Sequence, residues 1–254
     1  MKKLLLAIIL GALGAASFAQ GKDLKVAIDP TYEPFTYKVD GKPAGFDVDI
    51  ASALCEQLKR KCVFVEQAWD GMIPGLMARK YDVIISSMSI TDDRMKQIDF
   101  TEKYYNTPTR VVAKKDFKYT GPASLKGKKI GVLKASVQEK YALGELKTVG
   151  VEVVSYDAQD QVYLDIRAGR LEGTVADHVE VTGGFLSKAE GKDFELKGED
   201  LTIPKYFGYG AGIGLRKGQD ALKNELSAAI KALRANGVYK KINDKYFKFD
   251  VYGK

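Results

Sequence analysis

Three serines and an arginine have the residue types and the spacing of a small-anion site. The serines follow the apolar run 83–85, at Ser86, Ser87 and Ser89, and Arg94 follows a Thr91 that can cap a helix. The apolar run is β-branched, which is typical of a buried parallel strand. Hydroxyls at a strand end, a helix start and a guanidinium together suit a carboxylate. An ordinary strand–turn–helix with a surface arginine explains the same residues, so this stretch alone leaves both interpretations open.

The elements that must position these residues alternate between strand and helix in two series. The first series has predicted strands at 24–28, 63–66 and 83–85, helices at 46–60 and 72–79, and a hairpin turning at Asp40–Gly41. The second has strands at 130–133, 151–156 and 173–177, a helix capped by Ser136, and helices at 160–168 and 179–189. Two such series predict two α/β lobes, each with a mainly parallel sheet flanked by helices. An extended crossing segment is predicted at 208–214, before amphipathic helices at 220–236 and 238–247 that could complete either lobe.

Ten side chains are predicted near the carboxyl ends of these strands, where open α/β sheets bind ligands. They are Asp29, Tyr32, Trp69, Ser86, Ser87, Ser89, Arg94, Ser136, Gln138 and Asp177. Arg94 and the hydroxyls suit a carboxylate, Asp177 suits an ammonium, and Asp29 offers a second negative charge. Tyr32 and Trp69 offer flat faces to a cation or an alkyl chain. The set predicts a site for a zwitterion with a cationic tail.

Catalytic interpretations have weaker support. The sequence contains no G-x-S-x-G, P-loop or H-E-x-x-H motif, and the glycines of 208–214 do not follow the strand–helix start of a dinucleotide site. The single histidine, His178, adjoins Asp177, but no motif ties a serine or cysteine nucleophile to it. We therefore predict no catalytic residue, no cofactor and no metal site.

The charge pattern indicates the character of the protein surface, and the first residues predict export. The formal net charge is +7, but positive and negative side chains are interspersed, which indicates a solvated surface and no nucleic-acid partner. Met1 to Ala19 has the charged start, apolar centre and small-residue end of a secretory signal, with a retained anchor as the alternative. We expect the exported chain to be soluble.

The two cysteines, Cys55 and Cys62, lie close together in the sequence. In an exported protein this spacing predicts one local disulfide between a helix end and the next strand. A metal site is the weaker interpretation because it would need more ligands.

Several segments resemble the periplasmic amino-acid-binding proteins of ABC importers. They are DPTYEPF, GFDVDIASALC, SSMSITDDR with QIDFTEKYYNTPTR, LKGKKIGVL, YFGYGAGIGLRK and GVYKKINDKYF. The branch that the chain resembles most binds lysine, arginine and ornithine or histidine, and it includes opine binders. The resemblance covers the exported chain in order and is more specific for the family than for the ligand.

The resemblance implies the two-lobed type II fold of periplasmic binding proteins, with two hinge strands. Lobe one would comprise 21–105 plus 211–254, lobe two 110–201, and the hinges would lie near 106–109 and 202–210. The lobes of such proteins close on the ligand. The cysteine pair also matches the disulfide of this branch.

The resemblance also implies roles for the ten side chains. Arg94 would bind the α-carboxylate, helped by Ser89 and the backbone near Ser136, and Asp177 would bind the α-ammonium. The polar end of the ligand side chain would meet Asp29 and Gln138. Its stem would lie between Tyr32 and Trp69, and Ser86 and Ser87 would line the same pocket.

Two residues depart from the pattern of the family. Val137 stands where relatives often carry a hydroxyl, so one hydrogen bond to the carboxylate is in doubt. Trp69 replaces a commoner phenylalanine, and its larger face favours a guanidinium. Whether His178 or Glu33 touches the ligand stays open.

We expect a monomeric periplasmic receptor that captures a cationic L-amino acid and delivers it to an inner-membrane ABC permease. Arginine is the first choice, ahead of lysine, ornithine, histidine or an opine. The alternative is a cyclohexadienyl (prephenate/arogenate) dehydratase-like enzyme on the same fold, with Asp29 or Asp177 as its acid. A signalling receptor domain is a second alternative.

Overall fold

The computed structural model describes residues 23–253, so the predicted signal peptide at 1–19 lies outside the described residues. The chain begins with β1 (Leu24–Ile28), β2 (Tyr37–Val39), β3 (Lys42–Ala44), α1 (Phe46–Gln57), β4 (Cys62–Glu66), α2 (Met72–Met77), β5 (Val83–Ile84), α3 (Asp92–Met95) and β6 (Asp99–Tyr105). It continues with β7 (Thr109–Lys114), β8 (Lys129–Leu133), α4 (Val137–Tyr141), β9 (Glu152–Tyr156), α5 (Gln159–Arg167), β10 (Gly173–Asp177), α6 (His178–Val181) and β11 (Phe194–Leu201). It ends with α7 (Pro204–Phe207), β12 (Ala211–Leu215), α8 (Asp220–Ala235) and α9 (Val238–Tyr246). Further short helical segments lie at Trp69–Gly71, Pro122–Leu125, Ala142–Leu146, Lys147–Val149, Thr182–Leu186 and Ala189–Gly191.

The strands of residues 23–253 form two five-stranded sheets and the hairpin of β2 and β3. The sheets share one arrangement, with strand orders β4–β1–β5–β12–β6 and β9–β8–β10–β7–β11. The first three strands of each order pair in parallel. The fourth, β12 or β7, is antiparallel to both neighbours. All strands but that one therefore run in the same direction, and the predicted mainly parallel sheets are confirmed.

The chain crosses between the sheets twice. It leaves the first sheet after β6, passes through 106–108 and enters the second sheet at β7. It returns from β11 through 202–210, which includes the short helix α7, to β12. The prediction that 208–214 crosses between the lobes holds only for 208–210. It was wrong for 211–214, because these residues belong to β12 inside the first sheet. The lobe boundaries and the hinge motion stay a prediction.

Each sheet is covered by apolar side chains on both faces. On one face of the first sheet, Phe46, Ile50 and Leu54 of α1 pack with the apolar residues of α8 and α9. This places the two late helices, which the sequence pattern left unassigned, against the first sheet. Met72 and Leu76 of α2 cover its other face. The second sheet is likewise covered by a cluster on each face. No helix within residues 23–253 has the length and apolar character to cross a bilayer.

Local signals located most elements. Strand β1 spans the predicted residues, and the hairpin turns at Asp40–Gly41. Cys55 of α1 and Cys62 of β4 form the predicted disulfide. The helix predicted at 179–189 is shorter, because regular α-helix ends at Val181 and wider turns follow over the glycine pair of Thr182–Leu186. Strands β6 and β11 were not predicted, and β7 was indicated only by an extended segment that begins at Val111 and Val112.

Candidate functional site

All ten predicted side chains line one cavity between the two sheets. They share it with residues of both crossings, among them Asn106, Thr107 and Gly210. The cavity holds about 640 Å³ of space, including its opening to solvent.

Arg94 supplies the positive charge of the cavity. Thr91 caps α3 by accepting the Arg94 backbone N–H at 3.3 Å, as predicted. Within residues 23–253 the guanidinium hydrogen bonds go to two backbone carbonyl oxygens, from Nη1 to Ser89 at 3.0 Å and from Nη2 to Ala135 at 3.4 Å. Burial lowers the pKa of Arg94 to about 10, so the group stays charged at neutral pH. A desolvated cation whose bonds go to neutral oxygens attracts an anionic ligand.

Asp177 is an acceptor at the end of β10. Its Oδ1 accepts the backbone N–H groups of Val179 at 2.9 Å and Glu180 at 3.1 Å, so it caps α6. Thr107, from the first crossing, donates its hydroxyl to Oδ2. Burial raises the pKa of Asp177, and these hydrogen bonds oppose that rise because they stabilise the anion. A cationic ligand group would stabilise the anion further.

Asp29 holds a second carboxylate at the end of β1. Its Oδ1 accepts the backbone N–H of Thr31 at 3.1 Å and the Thr31 hydroxyl at 2.8 Å. Its own N–H donates to the Ser86 Oγ at 2.9 Å, across the adjacent ends of the paired strands β1 and β5. Burial raises the pKa of Asp29, while bonds to Thr31 and Trp69 lower it.

Two aromatic rings complete this side of the cavity. The pKa of Tyr32 lies well above its usual value, first because of burial and then because Asp177 and Glu180 repel the phenolate. The Arg94 guanidinium carbon lies over the Trp69 ring, 5.3 Å from the ring centroid. The sequence did not predict this contact. The packing of both rings against a ligand stem stays a prediction.

The second sheet contributes Ser136 and Gln138 from the start of α4. Ser136 caps this helix by accepting the Glu139 N–H at 3.0 Å, as predicted. The Gln138 amide donates to the Thr109 hydroxyl at 3.4 Å. Val137 also lines the cavity, so an apolar surface occupies the position where a hydroxyl was in doubt.

The sequence analysis missed eight residues that line the cavity, four from the crossings and four from strands. They are Tyr105, Asn106, Thr107, Thr109, Leu133, Phe207, Gly210 and Ala211. The polar run at 106–109 was a usable signal, but only the sheet order shows that it meets the strand ends. Glu33 and His178 are not among the described residues that line the cavity. Glu33 pairs with Lys188 at 2.6 Å, and His178 Nδ1 lies 3.8 Å from Asp200.

The charges suit one kind of ligand. Among the described residues that line the cavity, Arg94 is the cation, and Asp29 and Asp177 are the acids. With both acids ionised, the lining carries one net negative charge. A zwitterion with a cationic tail has one net positive charge and would neutralise it.

Comparisons with known proteins agree with this geometry. The sequence pattern of the bacterial extracellular solute-binding proteins, family 3, matches residues 24–249. The chain is 52% identical to the L-arginine-binding protein of Pseudomonas aeruginosa, covering 100% of this chain and 99% of that protein. It is 42% identical to the histidine-binding periplasmic protein of Salmonella typhimurium, covering 100% of both.

A solved structure is also similar. It is a periplasmic binding protein of Salmonella typhimurium that has high arginine specificity. It is 32% identical, with a TM-score of 0.83, and the match covers 90% of this chain and 100% of that one. The chain therefore belongs to the bacterial extracellular solute-binding proteins of family 3.

Proposed function

We propose that this protein is the exported substrate-binding component of an ABC importer and captures a cationic L-amino acid, with arginine preferred. The observation that carries the proposal is the charge set of the cavity, in which Arg94 faces a ligand space shared with Asp29 and Asp177. The similarity to an arginine-binding protein supports arginine. Lysine, ornithine, histidine and opines are the competing ligands.

The proposed roles follow from the hydrogen bonds of each side chain. Arg94, with Ser89 and the backbone near Ser136, binds the α-carboxylate, because its guanidinium bonds go to neutral carbonyl oxygens. Asp177 binds the α-ammonium. The cationic tail lies between Tyr32 and Trp69 and ends at Asp29 and Gln138. Ser86 and Ser87 complete the wall.

The proposed cycle is capture by closure in the periplasm. Lobe one is 21–105 plus 211–254, lobe two is 110–201, and the segments near 106–109 and 202–210 act as hinges. The cavity is lined from both sheets and both crossings, which supports closure around the ligand. The closed monomer then delivers the amino acid to an inner-membrane permease.

Titration calorimetry with L-arginine, L-lysine, L-ornithine, L-histidine and an opine tests the proposal. We expect arginine to bind most tightly. Arginine at a hundred times its dissociation constant should stabilise the fold by about 2.7 kcal/mol. Arg94→Ala should weaken arginine binding by about a hundredfold, since it leaves a buried carboxylate unpaired. Arg60→Ala is the control, because Arg60 pairs with Glu225 in a surface ion pair at 2.8 Å.

Two results would refute the proposal. One is the absence of binding by any cationic amino acid. The other is turnover of prephenate or arogenate to an aromatic product, which would establish the dehydratase alternative. That alternative is not favoured, because the relatives are named as binding proteins.

A further inference from the structure

A buried carboxyl group lies behind the cavity wall at Ser87. Asp47, in the first turn of α1, is 0% exposed. Its Oδ2 accepts the Ser87 Oγ–H at 2.9 Å, whereas its Oδ1 has no hydrogen-bond partner among the described residues. A buried carboxyl with an unpartnered oxygen costs stability, so its presence calls for a physical reason.

Ser87 has a backbone conformation that is unusual for a residue with a side chain. Its φ is +56°, in the left-handed region, where a Cβ atom is crowded. In extended chain, neighbouring side chains point to opposite faces. Here the neighbours Ser86 and Ser87, together with Ser89, all line the cavity. The left-handed residue breaks the alternation and accounts for this shared wall.

Tyr104 of β6 links the same two residues. Its hydroxyl oxygen accepts the backbone N–H of Ser87 at 3.1 Å. The pKa of Tyr104 lies well above its usual value, mainly through burial and the nearby charge of Asp47. Tyr104 therefore accepts from the Ser87 backbone and lies near Asp47, while Asp47 accepts the Ser87 hydroxyl.

We propose that Asp47 and Tyr104 are positioning residues, which hold Ser87 left-handed and so place Ser86, Ser87 and Ser89 on the ligand-binding wall. Neither is among the residues of 23–253 that line the cavity, so they act through Ser87. The inference rests on the proposed function, because its readout is the binding of an amino acid.

The ionised form of Asp47 is the stronger acceptor for the Ser87 hydroxyl. Burial raises the pKa of Asp47 to about 7, bonds to Ser87 lower it, and the charge of Asp177 raises it. Tyr32, Tyr105 and Tyr239 also lie within the electrostatic reach of Asp47. A ligand ammonium beside Asp177 would favour ionised Asp47, so protonation below about pH 7 should weaken binding.

A double-mutant cycle between Tyr104→Phe and Ser87→Gly tests the proposal, with L-arginine as the probe in calorimetry at pH 7.5. Tyr104→Phe should weaken binding by roughly tenfold when residue 87 is serine, because the left-handed turn loses its anchor. In a Ser87→Gly background the same change should cost less than about twofold, since glycine adopts positive φ without crowding. Equal costs in the two backgrounds would overturn the proposal.

Tyr246→Phe is the matched control. Tyr246 of α9 donates its hydroxyl at 2.8 Å to Asp49 of α1, the helix that also carries Asp47. No hydrogen bond among the described residues joins Tyr246 to Ser87. Its loss should change arginine affinity by less than about twofold in both backgrounds. Thermal unfolding of each variant identifies any that does not fold at the assay temperature.

Asp47→Asn keeps the size of the side chain and provides a second variant for the same cycle. It should also remove part of the loss of affinity between pH 8 and pH 6. Asp29 and Asp177 contribute to that loss in the natural protein and in Asp47→Asn. The difference between the two pH profiles therefore isolates the contribution of Asp47. An unchanged pH profile would count against the proposal. Absence of arginine binding by the natural protein would instead refute the proposed function, and this inference with it.

Discussion

At the scale of single residues, the acids of the site have structural partners as well as a proposed ligand. Asp177 caps α6 and accepts the Thr107 hydroxyl, while Asp29 closes a turn with Thr31. These bonds fix the orientation of each carboxylate before a ligand arrives. Binding therefore loses less free energy in ordering these side chains, because the fold already holds them in place.

The two tasks of Asp177 can be separated by substitution. Asp177→Asn should leave the unfolding free energy within about 0.5 kcal/mol of the natural protein, because asparagine is an equally good cap. It should weaken arginine binding by about a hundredfold, since the ammonium loses its counter-charge. Asp177→Ala should lose the affinity and about 1 kcal/mol of stability as well. Urea unfolding and calorimetry measure the two effects, and natural affinity in Asp177→Asn would contradict the assignment.

At the scale of elements, three short helices begin at the cavity. The N-caps of α3, α4 and α6 are Thr91, Ser136 and Asp177, and each cap accepts a backbone N–H of its helix. The last two caps line the cavity themselves, and Arg94 lies in the first turn of α3. Helix starts carry unpaired N–H groups and partial positive charge, so the starts of α3 and α4 favour the carboxylate of a zwitterion. At the start of α6 the carboxylate of Asp177 already accepts two of these N–H groups.

The disulfide acts on a different element. It ties α1 to β4 across a sequence separation of 7, and neither cysteine is among the described residues that line the cavity. Replacing both cysteines by alanine should cost about 2.5 kcal/mol of unfolding free energy by loop-closure entropy. Arginine affinity should change by less than about twofold. Urea unfolding and calorimetry test both parts, and a large loss of affinity in a folded variant would show that the bridge positions α1 for binding.

At the scale of the whole molecule, the two sides of the cavity carry complementary charges. Among the described residues, three ion pairs connect them, Asp70–Lys134 at 3.0 Å, Glu33–Lys188 at 2.6 Å, and Asp93–Lys140. All the acids belong to the part of the chain before the first crossing, and all the lysines to the part after it. Each acid adjoins a cavity-lining residue in sequence, namely Trp69, Tyr32 or Arg94. The pairs would therefore favour the closed arrangement.

The pair of Glu33 and Lys188 gives the clearest test. Glu33→Lys should weaken arginine binding by roughly threefold, a modest effect because exposed ion pairs are individually weak. Adding Lys188→Glu should restore the affinity, since the attraction returns with its sign reversed. Salt should weaken binding more in the natural protein than in Glu33→Lys, because screening acts on the exposed pair.

Exchange of the Asp220–Lys223 pair, which lies within α8, is the control and should have no effect. Calorimetry at 0.05 and 0.5 M salt provides the measurement. Failure of the double variant to recover affinity would show that Glu33 acts on the ligand itself and not on closure.

By itself, the sequence determined the order of most strands and helices, the caps of α3 and α4 and the identity of ten cavity residues. These features depend on short-range physics, namely periodicity along an element, caps within three residues and the rule that ligands meet strand ends. The predictions were good where those signals are strong, as in β1 and the cap of α4.

Only the tertiary structure decided which distant segments meet. It placed β12 inside the first sheet, brought Thr107 to Asp177, set Trp69 over Arg94 and anchored Ser87 on Asp47. Some of these partners are tens of residues apart, and their pairing depends on the packing of both sheets at once. No local pattern encodes such a contact, because its energy appears only after the chain has closed the loop between the partners.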